Sequence, residues 1–343
     1  MVYTFGLAKV ANIRYRDAAN RLNRCELSAM LHALSLDCEV AVESIGGADF
    51  LVFESRALSG GEIERLRSHS SVVFMAEREA DGRLRPLDGG TGLYLEEDLP
   101  EILKYKGKTS AAFTRLMINM ALSLSPFFSS SAPLTLLDPL CGKGTSCFCA
   151  LQGGMNAVGM DLDQKAVHEA CDYFSRYLKV HQLKHTKRAV SETFLNTSLP
   201  VTEFVFADTR EHYQQDQTRS LRLAVGDTVL VPGLCRRRPA HLLVADLPYG
   251  VQHAPRFGRK PESFRSLLAR ALPQWKKALQ PGGVAALSFN TLTFPTQQVI
   301  DIARESGWTL CEGPFLGHLR HEVEQAVVRD VIFITNTPFE GGT

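Results

Sequence analysis

DPLCGKGT, residues Asp138–Thr145, follows the apolar run LTLL and decides the fold. A short apolar strand closed by an aspartate, then a loop with glycine at Gly142 and Gly144, then a helical stretch, is how an open parallel sheet begins. The same punctuation recurs downstream. NAVGMD closes at Asp161, FVFAD at Asp208, LLVAD at Asp246 and VAALSFN at Asn290. Five such strands joined by helical stretches predict a doubly wound α/β sheet, with WTLCEG (308–313) and VVRDVIFITN (327–336) as an antiparallel pair at its edge. Two connections are long, 165–202 and 211–239, and the second ends in Arg236, Arg237 and Arg238.

Upstream the pattern is different. YTFGLAKV (3–10) reads as a strand, and 17–34 as a helix with Leu22, Leu27, Met30, Leu31 and Leu34 on one face. CEVAVESI and DFLVFES read as strands around a Gly46-Gly47 turn. Ser59 with Glu62 forms a capping box for a short helix through Arg67, and SVVFMAERE is the closing strand. The order strand, helix, strand, strand, helix, strand predicts a small α+β ferredoxin-like domain over 1–95, placed to position a substrate. The stretch 96–133 is then a linker with a helix from Ser110 to Leu124, and 134–343 a second domain. KYKGKTS (104–110) puts a basic, aromatic-containing loop at that helix start, where an anion can be held.

Composition sets the class without naming a function. With 343 residues, 45% hydrophobic and 22% charged, the chain is an ordinary globular protein large enough for two domains. No apolar run is long enough to span a bilayer and the first residues lack a signal pattern, so the expectation is a cytoplasmic protein with no membrane contact. The eight cysteines contain no CxxC pair, so reduced thiols are expected, and Cys141, Cys147 and Cys149 lack a second ligand pair for a metal. The net charge of +1 is uneven: residues 1–100 hold 11 basic and 16 acidic side chains, the remainder 27 and 21. That basic excess is compatible with a nucleic-acid partner.

The strand-end residues describe a groove for a nucleoside. Glycines at 142 and 144 let backbone N–H groups approach a ligand. Asp161 is placed to accept both hydroxyls of a ribose, and Asp208 to accept from an adenine amine. GxxxxGK[ST] and GxGxxG are both absent, which weighs against ATP and nicotinamide cofactors. A ligand with ribose, adenine and an amino-acid tail but no phosphate, S-adenosyl-L-methionine, suits the loop, with Asp138 or its neighbouring backbone facing the tail ammonium. Pro139, Cys141 and Thr145 complete that set.

DLPYG (246–250) supplies an acceptor side. Asp246 and a carbonyl in the Leu247-Pro248 segment can accept from an NH₂ group, Pro248 stiffens the turn, and Tyr249 can stack on the ring bearing the amine. Such an amine is a poor nucleophile, and fixed acceptors for its protons favour the rehybridisation that direct methyl transfer requires. No metal is needed. Leu247, Gly250, Arg256, Arg259 and Lys260 are the expected substrate contacts, with Lys179, Lys184, Lys187, Arg188 and Arg236–Arg238 as further phosphate partners.

DPLCGKGT, GMDLD, FAD and DLPYG together resemble the motifs of amino-methyltransferases, and most closely those of tRNA guanine-N2 methyltransferases of the THUMP-associated RNA methylase type. The resemblance covers about 104–336 and implies a Rossmann-like methyltransferase fold with a mostly parallel seven-stranded sheet. It also implies cofactor contacts at Asp138, Asp161 and Asp208, amine contacts at Asp246 and Tyr249, and RNA, tRNA above all, as partner. Two departures stand out: Leu247 replaces the usual proline, and about 100 residues replace a long THUMP module. Adenine in DNA, a protein amide nitrogen, or RNA binding without catalysis remain open beside guanine, as does a protein partner or homodimer.

Overall fold

The computed structural model describes residues 1–10, 13–87, 92–101, 109–248, 256–257, 260–261, 263–324 and 326–337; at 13–15, 256–257, 260–261 and 324 it describes the backbone alone. The amino-terminal elements are β1 (Val2–Leu7), α1 (Ile13–Ala33), β2 (Ala41–Ile45), β3 (Ala48–Glu54), α2 (Gly60–Arg67), β4 (Val72–Arg78) and β5 (Leu84–Pro86). They form an antiparallel sheet in the order β2-β3-β1-β4-β5. Its first four strands have the expected ferredoxin-like order, and β5, which the sequence reading did not single out, extends the edge. Gly46 and Gly47 take φ of 60° and 83°, values that favour glycine and close the β2–β3 hairpin in two residues. Ser59 and Glu62 make the capping box of α2. Inside, Phe53 stacks on Tyr3 at 5.4 Å and meets Phe5 edge-on at 5.2 Å, in one cluster with Leu27, Met30 and Leu31 of α1.

Helix α3 (Ala111–Ser123) begins where Ser110 Oγ accepts from Phe113 N. It joins the small layer through a buried carboxylate. Asn119 Nδ2 donates to Glu26 Oε1 at 2.7 Å and to the Ser68 carbonyl at 2.6 Å. Glu26 also accepts from Ser70 N at 2.8 Å and from the Ser70 hydroxyl. The His69 ring, 3.5 Å from Glu26, accepts from Ser71 N at Nδ1 and donates from Nε2 to the Asn23 carbonyl. Because a buried charge is tolerated only when so satisfied, these bonds hold α1, the α2–β4 turn and α3 in fixed relation.

The larger layer contains β6 (Thr135–Asp138), α4 (Thr145–Gln152), β7 (Asn156–Asp161), α5 (Gln164–Val180), β8 (His185–Phe194), β9 (Thr197–Phe206), α6 (Arg210–Gln214) and β10 (Arg219–Val225). It continues with α7 (Val231–Cys235), β11 (Ala240–Asp246), β12 (Arg256–Phe257), β13 (Lys260–Pro261), α8 (Phe264–Ala278), β14 (Leu279–Asn290), α9 (Thr296–Glu305), β15 (Thr309–Leu310), β16 (His321–Glu324) and β17 (Val327–Thr335). The strand order is β15-β17-β14-β11-β6-β7-β10-β9-β8, with β16 also on β17, and β12 and β13 form a separate two-stranded pair among the described residues. Strands β10, β7, β6, β11 and β14 are mutually parallel. The run from β10 to β15 is the seven-stranded Rossmann-like methyltransferase arrangement, here extended beyond seven by the β8–β9 hairpin and β16.

That hairpin corrects the sequence reading. Leu195 and Asn196 have φ of 47° and 60°, the two left-handed residues of a tight hairpin turn, so β9 returns antiparallel to β8 and to β10. FVFAD therefore belongs to an antiparallel strand, and the third parallel strand is RSLRLAV, which lies inside a stretch read as a connection. The edge pair is as expected, β17 lying against β14 and carrying β15.

Each face of the sheet buries its own core. One gathers Phe148, Leu151, Phe174 and Phe204 with α3 and the amino-terminal layer; the other gathers Leu268, Trp275, Ile302 and Trp308. Among the described residues no helix is long and apolar enough to cross a membrane.

Candidate active site

The chain reverses its direction across the sheet between β6 and β11, so the ends of these adjacent parallel strands form the crevice where such sheets take ligands. Asp138 stands at the end of β6, 3% exposed, accepting from Leu140 N at 3.0 Å and bonded to the Ser146 side chain. Burial raises its pKa to about 7, and the nearby Asp161 and Asp246 charges add to the rise. A carboxyl so placed is complementary to a cation.

Asp161 ends β7, next to β6. Its Oδ2 accepts from Gly142 N at 2.7 Å and its Oδ1 from Asp163 N at 2.8 Å, and burial raises its pKa. Leu162 N is bonded to the carboxylate as well, and the acceptor capacity that remains suits a hydroxyl donor. Gly142 and Gly144 have φ of 50° and 85°, so the loop between β6 and α4 makes a turn that side chains resist. A Cβ on Gly142 would meet nothing within 4 Å, which leaves room for a ligand over the loop. Pro139 and Thr145 are buried at the two ends of this loop. Cys141 is buried too, its Sγ lying 2.9 Å from where a Cβ on Gly159 would stand, so it packs against β7 beneath the loop. Lys143 points to Glu169 of α5, at 2.5 Å, rather than back into the loop. An acid suited to a cation, a carboxylate with acceptor capacity left and a lysine paired with Glu169 fit a nucleoside with an ammonium and without phosphate.

Asp208 does not join this group. It follows β9, whose Phe206 pairs with Arg219 at the start of β10, so it lies at the opposite edge of the sheet. There its Oδ1 stands 2.6 Å from His212 Nδ1 and its N–H donates to Tyr94 Oη. The carboxylate at the end of the true third strand is Asp227. Gly226 N donates to the Asp161 carbonyl at 3.0 Å, and Asp227 Oδ1 accepts from Val229 N and from Arg270 at 2.9 Å. The signal was present as LRLAVGD, an apolar run closed by Gly-Asp.

On the acceptor side Asp246 ends β11 with two hydroxyls upon it. Ser288 Oγ of β14 donates to Oδ1 at 2.8 Å and Thr109 Oγ1 donates to Oδ2. Arg329 Nη2 stands 3.7 Å from the same Oδ2, its side chain 7% exposed and its guanidinium 4.8 Å from the Phe113 ring centre. Leu247 is fully buried and its N–H donates to the Ser288 carbonyl, so only its backbone carbonyl remains for a substrate, while Pro248 is half-buried. Tyr249, Gly250 and Arg259 lie outside the described residues, and Arg256 and Lys260 are placed only as backbone of the β12–β13 pair. Arg236–Arg238 precede β11 and so sit at the end of that strand away from Asp246. Thr109, Ser288 and Arg329 were not singled out by the sequence, although Thr109 belongs to the KYKGKTS stretch.

No protein-family model and no curated protein matches the chain. Solved structures do. A TehB-like SAM-dependent methyltransferase from Corynebacterium glutamicum is 19% identical, covering 63% of this chain and 86% of that one, with a TM-score of 0.34. TrmN from Thermus thermophilus is 15% identical over 87% of this chain and 60% of its own, with a TM-score of 0.39. A methyltransferase from Pyrococcus furiosus is 10% identical over 69% and 89%, with a TM-score of 0.40. At these identities and scores the site has to be read from its own residues.

Proposed function

We propose that the chain is an S-adenosyl-L-methionine-dependent methyltransferase acting on an exocyclic amine of a base in RNA, with N2 of a guanine in tRNA as the acceptor. The observation that carries this reading is the adjacency of β6 and β11, which sets the Asp138 and Asp161 groove beside Asp246. Asp138 faces the ammonium of the cofactor tail, Asp161 the ribose hydroxyls and Asp227 the adenine amine. When bound, the cofactor supplies a methyl group on a cationic sulfur. Asp246 and the Leu247 carbonyl accept the two protons of the acceptor amine, which turns its lone pair out of conjugation with the ring. Ser288 and Thr109 hold the Asp246 carboxylate in one orientation while this happens. After transfer a proton leaves to water, so no strong base is required. The choice of RNA and of guanine rests on the resemblance of DLPYG and its companion motifs.

The test is nucleoside mass spectrometry of RNA from cells with and without the gene, together with cells carrying Asp246→Ala. Loss of N2-methylguanosine in both altered strains, with the variant protein still binding S-adenosylhomocysteine, is the expected result. An unchanged RNA profile sinks the RNA assignment, and normal methylation by Asp246→Ala sinks the role of the acceptor clamp.

A further inference from the structure

At the edge of the sheet away from Asp138 and Asp246 lies a second cavity, of about 640 Å³. Its floor is the beginning of three parallel strands, with Thr135 of β6, Asn156 of β7 and Ser220 and Arg222 of β10. Its walls are the β8–β9 hairpin and the turn that follows α7. The hairpin closes down on α7 because residue 233 is glycine: a Cβ there would stand 2.6 Å from the Phe194 Cβ. The two acids of the lining are already matched. Arg222 donates to Glu192 Oε1 at 2.6 Å and Arg188 donates to Glu203 Oε2 at 2.8 Å.

Arg236, Arg237 and Arg238 line the same cavity, and all three are exposed. Among the described residues none of them is within ion-pair distance of an acid, whereas Arg188 and Arg222 each are. The cavity therefore holds positive charge in excess, above a floor of hydroxyl and amide groups. Consecutive guanidinium groups of this kind favour an anion with several oxygens and more than one charge, since each planar fork donates two parallel hydrogen bonds. The volume is that of a pocket for a ligand of nucleotide size.

We propose that this cavity is a phosphate-binding site that takes one nucleotide unit, either in a nucleic-acid strand or as a free nucleotide. It does not depend on the methyl-transfer reading. Strand β11 separates the arginines from Asp246, and its seven residues span roughly 23 Å at about 3.3 Å each. A nucleotide seated here is thus a different one from the nucleotide whose base meets Asp246.

The experiment compares the wild type with Arg236→Gln/Arg237→Gln/Arg238→Gln, and with Lys277→Gln/Arg304→Gln as a control for general loss of positive charge. Binding of a tRNA transcript and of uridine diphosphate is measured between 50 and 200 mM KCl, about the range over which phosphate contacts reveal themselves, without S-adenosyl-L-methionine. If the strand is the ligand, the triple variant loses about tenfold in transcript affinity and its log–log salt slope falls by about 2, as expected for two or three lost phosphate contacts, while the control changes less. If a free nucleotide is the ligand, uridine diphosphate binds the wild type and not the triple variant. Wild-type binding of uridine diphosphate without any of the transcript keeps the site and removes the RNA reading. Transcript affinity and salt slope equal in wild type and triple variant, with no uridine diphosphate binding, overturn the site and leave the RNA reading standing.

Discussion

Arg329, near the start of β17, lies with Nη2 3.7 Å from Oδ2 of Asp246, at the end of β11, across the intervening strand β14. The pair is largely buried, and the Thr109 hydroxyl lies between its members, donating to Asp246 and accepting from Arg329 Nη2 at 3.5 Å. Removing one member of a buried pair leaves the other charge uncompensated, so Arg329→Met is expected to lower stability by about 3 kcal/mol. Combining it with Asp246→Asn is expected to return at least about 1 kcal/mol of that loss. Urea midpoints of the four proteins check this. Strict additivity of the two substitutions means that the pair is not coupled.

The buried Asp138 makes stability depend on pH in a defined direction. Its folded pKa of about 7 exceeds the ordinary value of 3.8, so the folded state prefers the protonated acid. Its contribution is complete below about pH 3.8, declines as pH rises, and is lost above about pH 7, a cost of up to about 4 kcal/mol. Asp138→Asn has no proton to lose, so it is expected to become progressively more stable relative to the wild type as pH rises from 5 to 8, by about 2.5 kcal/mol, the rest of the change falling below pH 5, and to bind S-adenosyl-L-methionine more weakly. Thermal melts of both proteins across that range are the measurement, and parallel curves refute the assignment.

The two acids at opposite edges give a direct discrimination. Asp227→Ala is expected to weaken S-adenosylhomocysteine binding roughly tenfold, equivalent to about 1.4 kcal/mol. Asp208→Ala is expected to leave it within about twofold, less than about 0.5 kcal/mol by the same conversion. Calorimetric titration well below each unfolding midpoint separates the cases. The reverse ranking restores FVFAD to the cofactor groove.

What was legible in the sequence was whatever is encoded locally. An apolar run closed by an acid marks a strand end, and Asp138, Asp161 and Asp246 were found in this way. Ser59 and Glu62 likewise carry their capping box within four residues. Strand direction is not local in the same sense. FVFAD and LRLAVGD look alike as runs, and only the Leu195-Asn196 turn decides that the first is antiparallel. Ser288 and Arg329 escaped because each approaches Asp246 only once β14 and β17 have paired beside β11, and Thr109, just ahead of α3, because it does so only once that helix packs over β11 and β14.

The Glu26 carboxylate has a consequence for how the chain can be divided. Its ligands come from both sides of the boundary expected near residue 95, Ser70 from one and Asn119 from the other. A chain cut there would leave Asn119 facing solvent on one fragment and the Glu26 acid short of one donor at the seam of the other. The small layer is thus not an accessory that can be exchanged for a longer module while α3 stays as it is, and any substitute has to bring its own acceptor for Asn119.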